Sequence, residues 1–329
     1  IGIPVLDVLL NDDDYHCYVV ELSSFQLETT YHLAAEVACV LNLSEDHMDR
    51  YDSMMAYHQA KHRVFQGCRS VVVNREDNLT QPLTSTSMPK RSFGLTMAEN
   101  PVEIKNQYSI AYQKDDEGTD SAEYLMFEQQ PIFPIAQLKI KGRHNQLNAL
   151  AAMALVDSLP ANFAVSQEQL NDVLSNFSGL AHRCAWVAEK DSIQYFNDSK
   201  GTNVGSTLAA IEGLADSESK NIILIAGGVG KDQDFVPLAD ACKLSVKQAV
   251  LFGRDAKLIA RDLKLSTEVI FTETLAQALT RAHETAKAGD VILFSPACAS
   301  FDQFASYVER GEVFEQLVSD LLIEGEQVS

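Results

Sequence analysis

Short β-branched runs alternate with stretches of helical period along most of this chain, and that alternation leaves few folds open. "CYVVE" (17–21), "EVACVLNL" (36–43) and "SVVVN" (70–74) read as strands ended by polar loops, and "SMMAYHQAKHRVF" (53–65) reads as a helix between them. Strands separated by helices need crossover connections, which predicts a parallel sheet. Residues 92–141 break the pattern. Polar, strand-prone pieces such as "YSIAYQKDDEGTDSAEYLMF" predict antiparallel hairpins there, and helices are predicted over 144–159 and 166–177. Alternation resumes after residue 183, with strands at 192–197, 221–226, 247–252 and 290–295. Helices are predicted at 203–213, 235–243, 255–262, 273–287 and 302–323. The expected architecture is α/β in two domains with a boundary near Gly179–His182. Residues 1–180 form a parallel sheet with a small antiparallel portion, and 181–329 form a Rossmann-like domain.

Composition narrows the partners. The chain has 329 residues, 46% of them hydrophobic, with 26 basic and 46 acidic side chains and a formal charge of −20. Such a balance argues against nonspecific nucleic-acid binding. No apolar run approaches the length of a membrane-spanning helix. A strongly acidic protein that handles anions must concentrate its cations in sites, so a lysine in a glycine loop carries weight. The six cysteines form no C-x-x-C pair and read as reduced core thiols.

Several strand ends carry candidate chemistry. "YFNDSKGTNVGST" (195–207) resembles a phosphate loop but fails the G-x-x-x-x-G-K-[ST] spacing, and "AGGVGKDQDF" (226–235) fails it as well. No G-x-G-x-x-G follows any predicted strand. Asp198, Lys200 and Thr202 lie between a strand and a helix N-terminus, a natural place for an anion. Lys231 follows the next strand. Ser300 follows another, and with Gln303 it is expected to cap the helix beginning near 302. Three adjacent strand ends thus offer donors suited to a small dicarboxylate. In the first half, Glu21 ends a predicted strand and is a candidate magnesium ligand, while Ser23 and Gln26 match a capping box. His47 follows the next strand and reads either as a ligand or as a structural histidine. Lys61 falls within the apolar stripe of Met54, Tyr57, Val64 and Phe65 on its helix. A desolvated lysine amine there can add CO₂ to give a carbamate, or the side chain can extend to solvent. Asn145 and Asn148 share a helix face, where they read as a purine contact or as a cap and a surface amide.

"VELSSFQLE", "LNLSEDHMDRY", "AKHRVF", "GRHNQLNALAA", "NDSKGTNVGST", "AGGVGKDQDF" and "SPACASFDQF" together resemble the Mur ligases, in order and over essentially the whole chain. The resemblance is strongest to the member that adds D-glutamate. The D-N-P-R motif of the diamino-acid-adding sibling does not occur, and folylpolyglutamate synthases share the architecture without these loops. The resemblance implies a central ATPase-type domain followed by an amino-acid domain, and an ATP-dependent amide ligation through an acyl phosphate. Its small-molecule substrates would be UDP-N-acetylmuramoyl-L-alanine and D-glutamate, in a cytoplasmic monomer of peptidoglycan synthesis. It further implies that Glu21, His47 and a carbamylated Lys61 hold Mg²⁺, and that Asn145, Asn148, Arg183 and Asp198 contact ATP. Ser23 and Gln26 would lie by the muramoyl substrate. Lys200, Thr202, Lys231, Ser300 and the backbone near Tyr307 would hold D-glutamate, with Lys61, His47 and Lys200 as the catalytic set. The family's UDP-binding domain and its G-T-N-G-K-[ST] loop would both lie upstream of Ile1. The chain as given is therefore expected not to turn over. A catalytically dead amino-acid-binding module and a different amide ligase, such as a folate glutamylator, stand as alternatives.

Overall fold

A computed structural model describes residues 4–11, 15–83, 88–97, 105–114, 120–140, 142–216 and 219–327. Two six-stranded sheets organise them. The first runs in chain order: β1 (Val37–Val40), β2 (Ser70–Asn74), β3 (Lys90–Phe93), β4 (Gln107–Lys114), β5 (Asp120–Phe127) and β6 (Gln130–Pro134). β1 to β4 pair in parallel, and β4, β5 and β6 continue as an antiparallel meander. The expected hairpins therefore extend the parallel sheet.

Helices flank this sheet: α1 (Val5–Leu10), α2 (Ser24–Glu28), α3 (Met54–His62), α4 (Arg143–Val156) and α5 (Gln167–Asn176). The period of two along β2 places Val72 toward Leu150 and Ala154 of α4. Val71 and Val73 face Phe65 and Ala38 on the other side.

The strand expected over 17–21 is absent. Residues 15–23 carry no regular element, and Val19 is 98% exposed. A β-branched run becomes a strand only where a neighbour completes its hydrogen-bond ladder, and no described residue pairs with 17–21.

The second sheet contains β7 (Ala185–Lys190), β8 (Ile193–Asn197), β9 (Ile222–Gly227), β10 (Val246–Phe252), β11 (Glu268–Phe271) and β12 (Val291–Phe294). Its order is β11-β10-β9-β12-β8-β7, parallel throughout except for the edge strand β7. β7 and β11 were not expected from the sequence. Helices α6 (Val204–Leu214), α7 (Val236–Ser245) and α8 (Ala256–Leu263) pack on one face against Ile222, Leu224 and Ala226. Helices α9 (Leu275–Thr285) and α10 (Tyr307–Gln327) pack on the other against Ile223 and Ile225. The fully apolar "IILIAG" of β9 is the signature of a strand covered on both faces.

The helix expected from 302 begins instead at Tyr307. Ser300 does not cap it. The Ser300 carbonyl accepts the amides of Gln303 and Phe304 in a turn, the Gln303 amide side chain donates to Glu273 O, and Ser306 Oγ accepts Glu309 N–H at 3.1 Å. All six cysteines are free thiols, but they are not all in the core as expected: Cys17 lies in the irregular segment 15–23 and is exposed. Among the described residues no helix is long and apolar enough to cross a membrane.

Candidate active site

The chain leaves β9 for α7 on one face of the second sheet and leaves β12 for α10 on the other. β9 and β12 are neighbours, so their connections part and open a crevice at the carboxyl ends of the strands, where ligands bind in sheets of this kind. The loops after β8, β9 and β12 border it, and these are the three loops that carry Lys200, Lys231 and Ser300.

The loops are fixed to one another by the backbone. Val229 and Ala299 exchange two hydrogen bonds of 2.9 Å. The Gln233 side chain accepts Val204 N–H at 2.9 Å and donates to Ala297 O at 2.7 Å. Ser199 Oγ donates to Tyr307 O at 2.8 Å. Lys231 sits at φ +53, a left-handed conformation that a non-glycine residue adopts at a cost. Lys200 Nζ lies 4.3 Å from the Tyr307 ring centroid, and burial together with Arg183 lowers its pKa. Thr202 is half-buried beside it, whereas Ser300 is 2% exposed.

Asp198 is turned inward. Its carboxyl accepts the Cys184 amide at 3.0 Å and bonds Ser295 Oγ at 2.6 Å. A Cβ at Gly201 would lie 2.4 Å from Asp198 Oδ2, so the glycine of this loop leaves room for the Asp198 carboxyl to turn in.

The first half brings His47 and Lys61 to the same region and carries the remaining candidates on α2 and α4. Ser23 and Gln26 form the expected capping box on α2. His47 is held at φ +58, its amide donating to Asp46 Oδ1 at 2.9 Å, and its ring meets Phe25 edge-on at 4.8 Å. Burial lowers the His47 pKa, opposed by Asp46. Lys61 Nζ lies 5.6 Å from the Tyr57 ring centroid, and burial holds its amine below the ordinary lysine range, opposed by Asp46 and Glu21. Asn148 Nδ2 donates to Asn145 Oδ1 at 3.4 Å, which confirms their shared face at the start of α4.

Glu21 is largely exposed, with Arg183 3.9 Å away across the junction between the halves. Among the described residues no three histidine, cysteine or acidic side chains converge as a metal cluster. Mg²⁺ keeps several waters and takes only one or two protein carboxylates beside substrate phosphates, so a sparse site for it need not register as such a cluster.

Two further residues belong to this region and carried no sequence signal of their own. Asp46 accepts a hydrogen bond and an ion pair from Lys231 and accepts Asn203 Nδ2 at 3.1 Å, joining the two halves. In the sequence, Asp46 is one acid among several in "SEDHMD", and Asn203 reads only as a helix cap.

The profile described as Mur ligase middle domain matches residues 1–156, and that described as Mur ligase, glutamate ligase domain matches residues 182–298. The chain belongs to the Mur ligase family. UDP-N-acetylmuramoylalanine–D-glutamate ligase of Pseudomonas fluorescens is 47% identical over 322 residues, and that of Pseudomonas putida 48% over 322. Each match covers 98% of this chain and 68% of the relative's length. Among solved Mur ligase structures, MurF from Acinetobacter baumannii aligns at a TM-score of 0.58 and 19% identity, over 87% of this chain and 59% of that one. The E. coli FolC complex with DHPP and ADP aligns at a TM-score of 0.59 and 16% identity, over 87% of this chain and 62% of that one. These likenesses establish a fold common to Mur ligases and FolC.

Proposed function

We propose that this chain carries the metal-side and amino-acid portions of an ATP-dependent ligase that joins D-glutamate to UDP-N-acetylmuramoyl-L-alanine in peptidoglycan-precursor synthesis. Residues 1–180 serve as the central domain and 181–329 as the amino-acid domain. The observation that supports this reading best is the crevice at the β9/β12 strand ends, where Lys200 and Lys231 gather opposite His47 and Lys61.

In the proposed reaction the muramoyl-alanine carboxylate attacks the γ-phosphorus of ATP and ADP departs. The D-glutamate amine then attacks the acyl carbon, the carbon–oxygen bond to phosphate breaks, and phosphate leaves. Mg²⁺, held through Glu21, His47 and a carbamate on Lys61, would neutralise charge on the phosphate oxygens. Lys231 and Lys200 pair with the two carboxylates of the amino acid, with Thr202, Ser300 and the Tyr307 backbone completing the pocket. Asn145 and Asn148 at the start of α4, with Arg183 across the junction, face the nucleotide. Asp198 serves by holding the 198–202 loop in shape. Ser23 and Gln26 border the muramoyl substrate. Two fixed cationic groups leave the amine as the free end of the ligand, and orienting it toward the acyl donor is where such a site gains rate.

Calorimetry of the chain with D-glutamate, L-glutamate and D-aspartate tests the amino-acid site. Binding of D-glutamate that is lost in Lys231→Ala is the expected outcome, and equal binding of all three acids would defeat it. Phosphate release from ATP with the muramoyl substrate, with and without D-glutamate, tests turnover. Release that depends on D-glutamate supports the ligase reading, and release indifferent to D-glutamate counts against it. Replacing the muramoyl substrate with a folate tests the alternative acceptor.

A further inference from the structure

Lys231, the cation given the central part in amino-acid recognition, already has a carboxylate partner. Asp46, from the loop after β1, pairs with the Lys231 ammonium through Oδ1 and accepts Asn203 Nδ2 through Oδ2 at 3.1 Å. Both side chains are largely withdrawn from water, Lys231 at 11% and Asp46 at 14% exposure. Asn203 is fixed in turn, since its own Oδ1 caps α6 by accepting Ser206 N–H at 2.9 Å. Asp46 therefore presents a carboxylate to the crevice from the opposite half of the molecule, in the position that an acidic ligand would take on Lys231.

We propose that Asp46 is an exchangeable counter-ion and a positioning residue for the amino-acid substrate. The incoming ligand carries two carboxylates and one ammonium. When one carboxylate takes Lys231, Asp46 is released from that pair. Its carboxylate then receives the ligand's ammonium, while Lys200 receives the second carboxylate. Asp46 and Lys231 each have a charged partner before and after the exchange, and Lys200, which rests over the Tyr307 ring beforehand, gains one, so the exchange strands no buried charge, a condition that decides whether a polar site binds or rejects a ligand. The exchange also sets direction. Asp46 adjoins His47 on the side of the first half, so an ammonium drawn to it points away from the sheet that holds the carboxylates and toward the proposed acyl donor. Selection for an α-amino dicarboxylate over a plain dicarboxylate follows from the same geometry.

This inference rests on the amino-acid reading of the crevice, and the test separates the two. D-glutamate and glutarate, which lacks the amine, are titrated calorimetrically into the wild-type chain and into Asp46→Asn, Asp46→Ala and Lys231→Ala, with thermal melts to confirm folding. The ion-pair exchange predicts opposite signs. Loss of Asp46 weakens D-glutamate by about tenfold or more, since its ammonium loses a charge-assisted partner, and strengthens glutarate severalfold, since Lys231 no longer has to be freed. A shift in the same direction for both ligands overturns the exchange while leaving the amino-acid site intact. Binding of neither ligand to the folded wild-type chain, or undiminished binding in Lys231→Ala, overturns the amino-acid reading itself and the exchange with it.

Discussion

Asp198 shows how far burial can move a group whose side chain looks like a ligand in sequence. Burial pushes its carboxyl up to about 7, against the lowering effects of Ser295, the Cys184 amide, Arg183 and Arg310. An acid whose folded value lies above its unfolded one keeps a proton that the unfolded chain has released. Stability is then full below the unfolded value of 3.8, falls as pH rises toward 7, and is level beyond. Asp198→Asn keeps the contacts: the amide oxygen accepts Cys184 N–H, and its nitrogen donates to Ser295 Oγ, which bonds Thr207 Oγ1 at 2.9 Å. The variant is expected to gain roughly 1–3 kcal/mol over wild type near pH 8 and little near pH 4, read by urea unfolding at both. Lys61 is the converse case. Burial lowers its amine below the ordinary lysine range, which raises the neutral, CO₂-reactive fraction as pH rises through that lowered value. A carbamate carbon resonance from ¹³C-bicarbonate, growing on the alkaline side and absent in Lys61→Arg, is expected.

The end of β9 shows a constraint that belongs to an element. Gly227 stands at φ +137, and a Cβ there would fall 1.8 Å from the Phe252 carbonyl oxygen of the neighbouring strand, which cannot move without breaking the ladder. Gly289 also has a positive φ, +91, but a Cβ there meets nothing within 4 Å. Gly227→Ala is therefore expected to cost more than about 3 kcal/mol or prevent folding of the second half, and Gly289→Ala only about 1 kcal/mol, compared by denaturant midpoints. The same distinction explains what the sequence made legible. β9, β10 and β12 could be read because each is largely buried on both faces and contains an apolar run, and β8 because Ile193, Tyr195 and Phe196 keep a buried, strand-prone pattern. β7 and β11 escaped because edge strands bury one face and carry mixed sequence, as the exposed Trp186 and Phe271 illustrate. "CYVVE" had the composition of a strand but not the neighbour. Ser300 and Gln303 had the spacing of a capping box, yet the chain turns there and starts its helix later, at Tyr307. Lys200 and Lys231 could be picked out because glycine loops at strand ends advertise them. Asp46 could not, since its importance comes from a partner 185 positions away.

At the scale of the molecule, the two halves meet along a seam of small residues and buried polar contacts, and the candidate site lies on that seam. The His144 ring is wedged against glycines of both halves: a Cβ at Gly142 would lie 2.9 Å, and one at Gly213 3.0 Å, from His144 Cε1. Nearby, a Cβ at Gly205 would lie 2.6 Å from Ser44 Oγ and 3.0 Å from Ser44 Cβ. Ser44 is two residues from Asp46, and Gly205 is two residues from Asn203, so this contact sets the distance across which Asp46 reaches Asn203 and Lys231. Gly205→Ala is expected to wedge the loop before His47 away from α6 without disturbing either sheet. α6 itself should tolerate alanine, since Gly205 lies in its first turn and not in the left-handed region. Any loss of stability therefore reports the seam and not the helix. Differential scanning calorimetry is expected to show the melt separating into two transitions, with D-glutamate binding weakened through displacement of Asp46. Ser44→Gly removes both atoms that the new methyl group meets, so the Gly205→Ala/Ser44→Gly double variant should recover a single transition and most of the binding. A double variant no better than Gly205→Ala would place the defect inside α6, and the closeness of the halves would then not be what holds the charged groups in register.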